Sequence, residues 1–397
     1  MRFASYFWAI NIATAIFRLL LIIFSKPALF ADEANLWLYS KFVNLSFIDH
    51  PPLAAFIIKI STAVFGDNLF ALRFPSVLFL FLSMWFLYAA AKKLFDERTA
   101  FFAFLIINII PFFSLPFYLS ATYDYAVLFF WAISFLLFAK IIQTNNKNLW
   151  YPLGAALGLA LLAGYSTAMI LLSIFLFLAF AKDHRRWLLR KEPYFAVLIA
   201  GIIFIPVLFW NIENGWAGFW FGQNSQLLGG NINIEPKRFG AFVLKQIFNV
   251  SPLIFAILWA SVFVGFKKMF AKENENIRLI IFFILPPLIM FNLSAFVLKN
   301  TNFQISAGYF FLSMIAAWMI FKFWKSRAFK IFIVSSILFS VGYAGFFSGQ
   351  IFKGTFPTIG EVNLSQKTEP YGWYEIAGEI RKLSDNYPTQ SKPFIFT

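Results

Sequence analysis

The chain contains no cysteine. Disulfides, iron–sulfur clusters and thiolate catalysis are therefore excluded. Histidine is almost absent: His50 and His184 are the only two in 397 residues, too few for a multi-histidine metal centre. Charge is scarce as well, with Asp, Glu, Lys and Arg making up 13% of the residues, and the acids are the minority at 18 against 33 Lys and Arg. What fills the space is hydrocarbon. The chain is 60% hydrophobic with 58 phenylalanines, and its mean hydropathy is +0.74. A soluble domain cannot cover that much apolar surface.

Apolar stretches of membrane-spanning length recur, and they are continuous rather than alternating, which predicts helices instead of a barrel. The expected fold is all-α: a polytopic membrane protein with about eleven spans, at 6–25, 75–91, 99–118, 123–142, 149–163, 166–181, 194–211, 246–266, 277–297, 304–321 and 329–348. The fifth and sixth are short, with a break expected near Gly164. The first is too long for a signal-peptide core and lacks a small-residue cleavage site after it, so it reads as a retained helix. The phenylalanines read mainly as lipid-facing filler, together with a compositional bias toward Phe, Ile, Asn and Lys.

The basic excess follows from the positive-inside rule without invoking nucleic acid. Every second connection is short and basic: KKLFDER, KIIQTNNKN, KDHRRWLLRKE, KKMFAKENENIR and KFWKSRAFK, which together hold 18 Lys and Arg. This predicts a cytoplasmic N-terminus and puts the other connections outside. Outside then lie a first loop at 26–74, a second at 212–245 and a C-terminal tail, giving a transmembrane unit 1–349 and an outer tail 350–397. Within the first loop, DEANLWLYSKFV and PPLAAFIIKISTAVFG read as short amphipathic helices lying along the interface. No internal repeat is visible, which counts against a secondary transporter.

Chemistry-bearing residues collect at the outer edge. Asp32 and Glu33 begin the first interfacial helix. An acid pair there caps a helix, but carboxylates at membrane level also mark function. Asp49 and His50 precede Pro51–Pro52, where Asp49 can serve the turn, or the pair can orient a polar or anionic ligand. Asp124, in ATYDYAVLFFW, is either a cap or an outer-face acid. Gly164–Thr167 reads as a tight hairpin between two spans. Lys299 snorkels from a helix end or contacts phosphate, with Arg73 and the Lys237–Arg238 pair as the next cations. Acids can activate an acceptor or hold a cation, and basic groups can bind phosphate. The set suits phosphate-linked lipid chemistry.

These motifs resemble bacterial integral-membrane glycosyltransferases of the C-type superfamily, in the group related to protein O-mannosyltransferases and the lipid A aminoarabinose transferase. The matching pieces are ADEANLWLYSK, then DHPPLAAFIIKISTAVFGDNLFALRFPS, ATYDYAVLFFW, GYST, HRRWL, PVLFWNIENGWAGFWFGQ and YGWYEIAGEI, running from about residue 31 to 383. The resemblance implies a polyprenyl-phosphate-linked sugar donor, membrane lipids around it and a glycolipid or protein acceptor, with room for a divalent cation beside the acids. It implies Asp32 as the catalytic aspartate with Glu33 beside it. Asp49, His50, Asp124, Tyr165, Lys299 and Arg73 fall to substrate binding. Two positions depart from the pattern: Gly164 stands where relatives carry lysine, and Tyr123 where they commonly carry proline. The first departure moves phosphate binding toward His50 and Lys299. The competing expectation is a transporter or flippase of a lipid-linked sugar using the same charges; a non-catalytic assembly partner would fit if Asp32 proved dispensable.

Overall fold

The computed structural model describes residues 2–25, 29–114, 121–219, 234–271, 274–297, 306–324, 326–352, 358–359 and 362–363. Lys299 and the tail segment 369–383 lie outside the described residues.

The expected helices form. They are α1 (Arg2–Ser25), α2 (Ala31–Lys41), α3 (Leu53–Phe65), α4 (Leu69–Leu94), α5 (Glu97–Ile109), α6 (Pro111–Ser114), α7 (Asp124–Thr144), α8 (Trp150–Ala163), α9 (Ala168–Phe180), α10 (Glu192–Glu213), α11 (Pro236–Val250), α12 (Pro252–Lys268), α13 (Glu275–Ser294), α14 (Ser306–Phe323) and α15 (Arg327–Phe352). A two-residue antiparallel pair, Thr358–Ile359 with Val362–Asn363, follows. Among the described residues five helices are long and apolar enough to cross a membrane, or up to seven if each bent pair is one span.

Local chemistry sets the helix ends. The Asn68 and Asp96 side chains accept from Ala71 N–H and Thr99 N–H, capping α4 and α5. Prolines at the first turns of α10, α11 and α12 sit where no helical N–H bond is needed. α8 and α10 cross closely because of glycine: a Cβ on Gly154 would stand 2.6 Å from Ala196 O, and one on Gly158 2.7 Å from Ile203 Cβ. That four-residue glycine spacing is the small-residue contact by which membrane helices approach.

Three expectations change. The eighth span, 246–266, is not one helix: Ser251 (φ 81°) and Pro252 break it, and α11 meets α12 at 108°. α11 carries a polar stripe, including buried Gln246 and Asn249, that hydropathy over the window averages away. The third span ends at Ile109, where Pro111 opens the short α6. Phenylalanine, too, is more than lipid-facing filler. Phe104, Phe113, Phe135, Phe138 and Phe177 are fully buried, and Phe135 meets Phe283 edge to face at 4.8 Å. Such pairs add to area burial.

The connections segregate to two ends of the bundle. At one end the basic turns bond to each other: His184 to Glu275, Arg186 to Asn145, Asn276 to the Leu94 carbonyl, and Gln143 to the Lys93 carbonyl at 3.3 Å. The candidate functional residues gather at the opposite end.

Candidate functional site

Glu33 anchors this end. It is the third residue of α2, and its carboxylate reaches back to accept the Phe30 N–H at 3.0 Å, closing the helix start that Phe30 cannot cap itself. The same carboxylate receives a fork from Arg73 in α4, Nε to Oε1 at 2.8 Å and Nη2 to Oε2 at 2.7 Å. It also accepts the Ala121 N–H at 2.7 Å. Both charged side chains are fully buried. One carboxylate thus ties α2, α4 and the entry to α7 together through charge-assisted bonds. Asp32, one residue earlier, is exposed in the first turn of α2.

A second cluster lies beside it. Tyr39 Oη donates to Asp49 Oδ1 at 3.0 Å, and Asp49 Oδ2 lies 3.3 Å from His50 Nδ1. The His50 ring stacks on Tyr123, 3.5 Å between centroids with planes 5° apart. Burial opposes ionisation of Asp49, but His50 and the Tyr39 hydroxyl outweigh it and hold the carboxyl below its usual range. Tyr39 is pushed up to about 12, by burial first and then by Asp49. Burial, then the charges of Asp49, Tyr39 and Asp32, raise the Tyr123 phenol far above its ordinary value. Asp124, next to Tyr123, starts α7 and is half-buried.

The hairpin between α8 and α9 joins the first loop to the second. Tyr165 Oη lies 3.4 Å from Ser46 Oγ, and its ring packs on Phe219 at 4.9 Å. Gly215 and Trp216 both adopt left-handed backbone (φ 62°) just after α10. This turn lays Gly218 on Tyr165 Oη and the buried Asn211 amide.

Residues 49–210 match the family model described as dolichyl-phosphate-mannose-protein mannosyltransferase. The lipid A galacturonosyltransferase RgtD of Rhizobium johnstonii is 23% identical over 78% of this chain and 64% of its own. An undecaprenyl phosphate-alpha-4-amino-4-deoxy-L-arabinose arabinosyl transferase of Pseudomonas fluorescens is 26% identical over 65% of this chain and 48% of its own. Among solved structures, ArnT from Cupriavidus metallidurans bound to undecaprenyl phosphate superposes with a TM-score of 0.67 at 14% identity, over 91% of this chain and 67% of that one. The archaeal oligosaccharyltransferase AglB from Archaeoglobus fulgidus gives 0.61 at 13% identity, over 99% and 61%. The fold is that of these two solved structures. The chain spans about half to two thirds of the length of these curated relatives.

The predicted residues divide. Asp32, Asp49, His50, Asp124 and Tyr165 all lie at the end of the bundle organised by Glu33. Glu33 and Arg73 are both fully buried: Arg73 forks onto Glu33, which also accepts the Phe30 and Ala121 N–H groups. At Gly164 a Cβ would stand 2.8 Å from Val127 Cγ2, so a larger side chain meets a packed wall here. Among the described residues no group of three His, Asp or Glu side chains could hold a metal ion.

Sequence reasoning passed over Arg18. It lies in α1, 3% exposed, and donates to the Phe113 carbonyl at 3.1 Å. The signal was available: one arginine inside a 24-residue apolar helix is expensive unless it is paired with protein. Tyr39 and Ser46 gave no signal, because their partners are distant in sequence or sit in an irregular turn.

Proposed function

We propose that this chain is an inverting glycosyltransferase that takes a sugar from a polyprenyl-phosphate carrier and transfers it to an outer-face acceptor, lipid A or another envelope glycolipid before a protein. The observation that carries the reading is the contrast between neighbours: Asp32 is exposed while Glu33, the next residue, is buried and fixed by Arg73. An exposed carboxylate in the first turn of α2, one residue before the buried Glu33 anchor, is suited to positioned acid–base work. The activities for which the relatives are named, lipid A galacturonosyl transfer and undecaprenyl-phosphate-dependent arabinosyl transfer, point the same way.

In this mechanism Asp32 takes the proton from an acceptor hydroxyl as its oxygen attacks the anomeric carbon. The bond to the carrier phosphate breaks on the opposite side, so the configuration inverts, and the polyprenyl phosphate leaves with the bonding electron pair. His50 neutralises that phosphate, with Lys299 as a second cation. Where the acceptor is itself a phosphate, its oxygen is already nucleophilic and Asp32 acts by orienting it.

The reading includes placement. The N-terminus is cytoplasmic, the site faces the outside of a bacterial inner membrane, and the shorter apolar helices join the long ones to give about eleven spans. Residues 1–349 form the transmembrane catalytic unit and 350–397 the outer tail. Mass spectrometry of lipid A, other glycolipids and envelope proteins, with and without the gene, tests the function. Loss of one sugar from one acceptor class is expected; identical profiles in all three, with the protein expressed, overturn it.

A further inference from the structure

The basic turn after α9 plays no part in the proposed reaction. Its residues Lys182–Leu189 form a 3₁₀ helix of eight residues, long for a conformation that normally runs three or four. With three residues per turn, side chains at i and i+3 eclipse, so such a helix has three edges. His184 and Trp187 make the buried edge: His184 bonds to Glu275, and the Trp187 ring lies 5.5 Å from that of Trp150. Lys182 and Arg185 stand together on an exposed edge. The turn departs at 115° from the helical stretch Tyr165–Phe180. Where α9 crosses a bilayer, the turn therefore runs along the surface.

Arg185 joins that edge to the outward side of α9. Its Nε donates to the Ala179 carbonyl at 2.7 Å, satisfying one of the open carbonyls at the end of α9. Its other nitrogens, and Lys182, have no partner among the described residues. Leu172, Phe175 and Phe180 are exposed on α9, with Leu176 and Ala179 half-buried between them. These positions are i, i+3, i+4, i+7 and i+8, one face of a helix. A continuous apolar stripe thus descends α9 and ends beneath Arg185. We propose that this stripe and the turn bind one anionic phospholipid, an acyl chain along Leu172, Phe175 and Phe180 and the headgroup phosphate on Arg185 and Lys182.

Charge selects this occupant. Residues 182–191 hold Lys182, Arg185, Arg186, Arg190 and Lys191 against one exposed acid, Asp183. Arg186 bonds to Asn145, and Arg190 lies over the Trp187 ring at 4.9 Å. Asp183 falls on the edge of Arg186, away from the stripe. Lys182 and Arg185 are the cations that border the hydrocarbon. A guanidinium offers paired donors to phosphate oxygens, and cations at a membrane surface attract anionic lipid. A zwitterionic headgroup brings its own ammonium, which these cations repel. A second copy of the chain fits poorly: two copies inserted alike would press one basic turn against the other. The site lies at the end of the bundle opposite Asp32, so it stands or falls independently of the donor reading.

The test uses purified full-length protein reconstituted in phosphatidylcholine bilayers with rising phosphatidylglycerol, either lipid being brominated in its acyl chains. Phe175→Cys carries a bimane, which is a unique label because the chain has no native cysteine. Quenching by each brominated lipid gives their relative affinity at the stripe. Each bordering cation is worth about fivefold, so phosphatidylglycerol should be preferred by about tenfold or more. Lys182→Gln with Arg185→Gln should bring the preference close to one. Arg185→Lys, which keeps the charge and loses the Nε bond, should retain most of it. Ile202→Cys, exposed on α10, should show no preference with or without the charges. The proposal is overturned by equal affinities at position 175, by an unchanged preference in the double Gln variant, or by the same preference at position 202. Two further results also overturn it. A label at 175 that neither lipid quenches would show that protein covers the stripe. Relief of phosphatidylglycerol quenching by millimolar inorganic phosphate would show an anion site with no need of the lipid.

Discussion

Glu33 and Arg73 meet as a fork, two bonds of 2.8 and 2.7 Å with neither side chain exposed. The pair draws together segments 40 residues apart, and through Ala121 a third segment a further 48 along. Burying two charges is costly, and it is tolerated when the pairing is complete.

The first prediction concerns breaking that pair. Sequence alone suggests that Glu33→Gln is mild, because a capping role survives amidation. The buried fork reverses this. Glu33→Gln leaves Arg73 charged, buried and under-bonded, at a cost of about 3–5 kcal/mol. Thermal unfolding in detergent should show a large loss of stability. The double variant Glu33→Leu with Arg73→Met should recover part of it, because no unpaired charge remains. A single variant as stable as wild type would mean that the fork contributes little.

Asp32→Asn should behave in the opposite way. Its side chain is exposed, so the melting temperature should hold and donor should still bind. Transfer should drop by several orders of magnitude, on the order of the 10²–10⁴-fold contribution of a positioned acid or base or beyond. Turnover near wild type in the purified protein would remove Asp32 from the mechanism.

The Tyr39–Asp49 bond has a pH signature. Asp49 has a depressed carboxyl, so its stabilising contribution is full above its unfolded value and is lost as pH falls through the lower folded value. Tyr39→Phe removes one cause of that depression, which moves the loss to higher pH. Melting temperatures of the two proteins should therefore lie farthest apart toward neutrality, where the ionised Asp49 uses the Tyr39 hydroxyl fully, and draw together on the acid side as Asp49 is protonated in both. Parallel curves at every pH would show that the Tyr39 hydroxyl does not set the Asp49 titration.

The two-ended arrangement of loops can be read directly, because the chain lacks native cysteine. Single cysteines at Asn44 and at Arg186 occupy opposite ends. An impermeant thiol reagent applied to intact spheroplasts should label position 44 and spare position 186. The reverse pattern would invert the orientation and put the site in the cytoplasm.

The helices and their two-sided loop charge were legible because both depend on composition within one window. The first-loop helices appeared where the apolar stripes put them. The break at Ser251 was not legible: α11 and α12 fall in one hydropathy window, and what separates them is the backbone of Ser251 (φ 81°) ahead of Pro252. Asp32, Asp49 and Asp124 could be named from residue type and motif. The division of labour between Asp32 and Glu33 could not, since it depends on Arg73, which lies 40 residues away. The stack of His50 on Tyr123 is likewise a long-range contact that no local pattern encodes.

Glycine substitutions separate the loop junction from the helices. Gly218 follows the left-handed turn at Gly215–Trp216 and faces Tyr165 and Asn211; a Cβ there would stand 2.8 Å from Tyr165 Oη and 2.9 Å from Asn211 Oδ1. Neither neighbour yields easily, because Asn211 is fully buried and its Nδ2 donates to the Val207 carbonyl, while Tyr165 packs on Phe219. Gly218→Ala must therefore push the 215–219 turn off the α8–α9 hairpin, at about 1–3 kcal/mol for overpacking. The helices below are untouched, so insertion should be normal and the loss should appear in transfer activity. Gly201, in the middle of α10, provides the contrast. A Cβ there meets nothing within 4 Å, and alanine is the better helix former by about 0.5–1 kcal/mol. Gly201→Ala should leave activity intact and raise the melting temperature slightly. Equal activity in the two variants would show that the contact between the second loop and the hairpin does not shape the site.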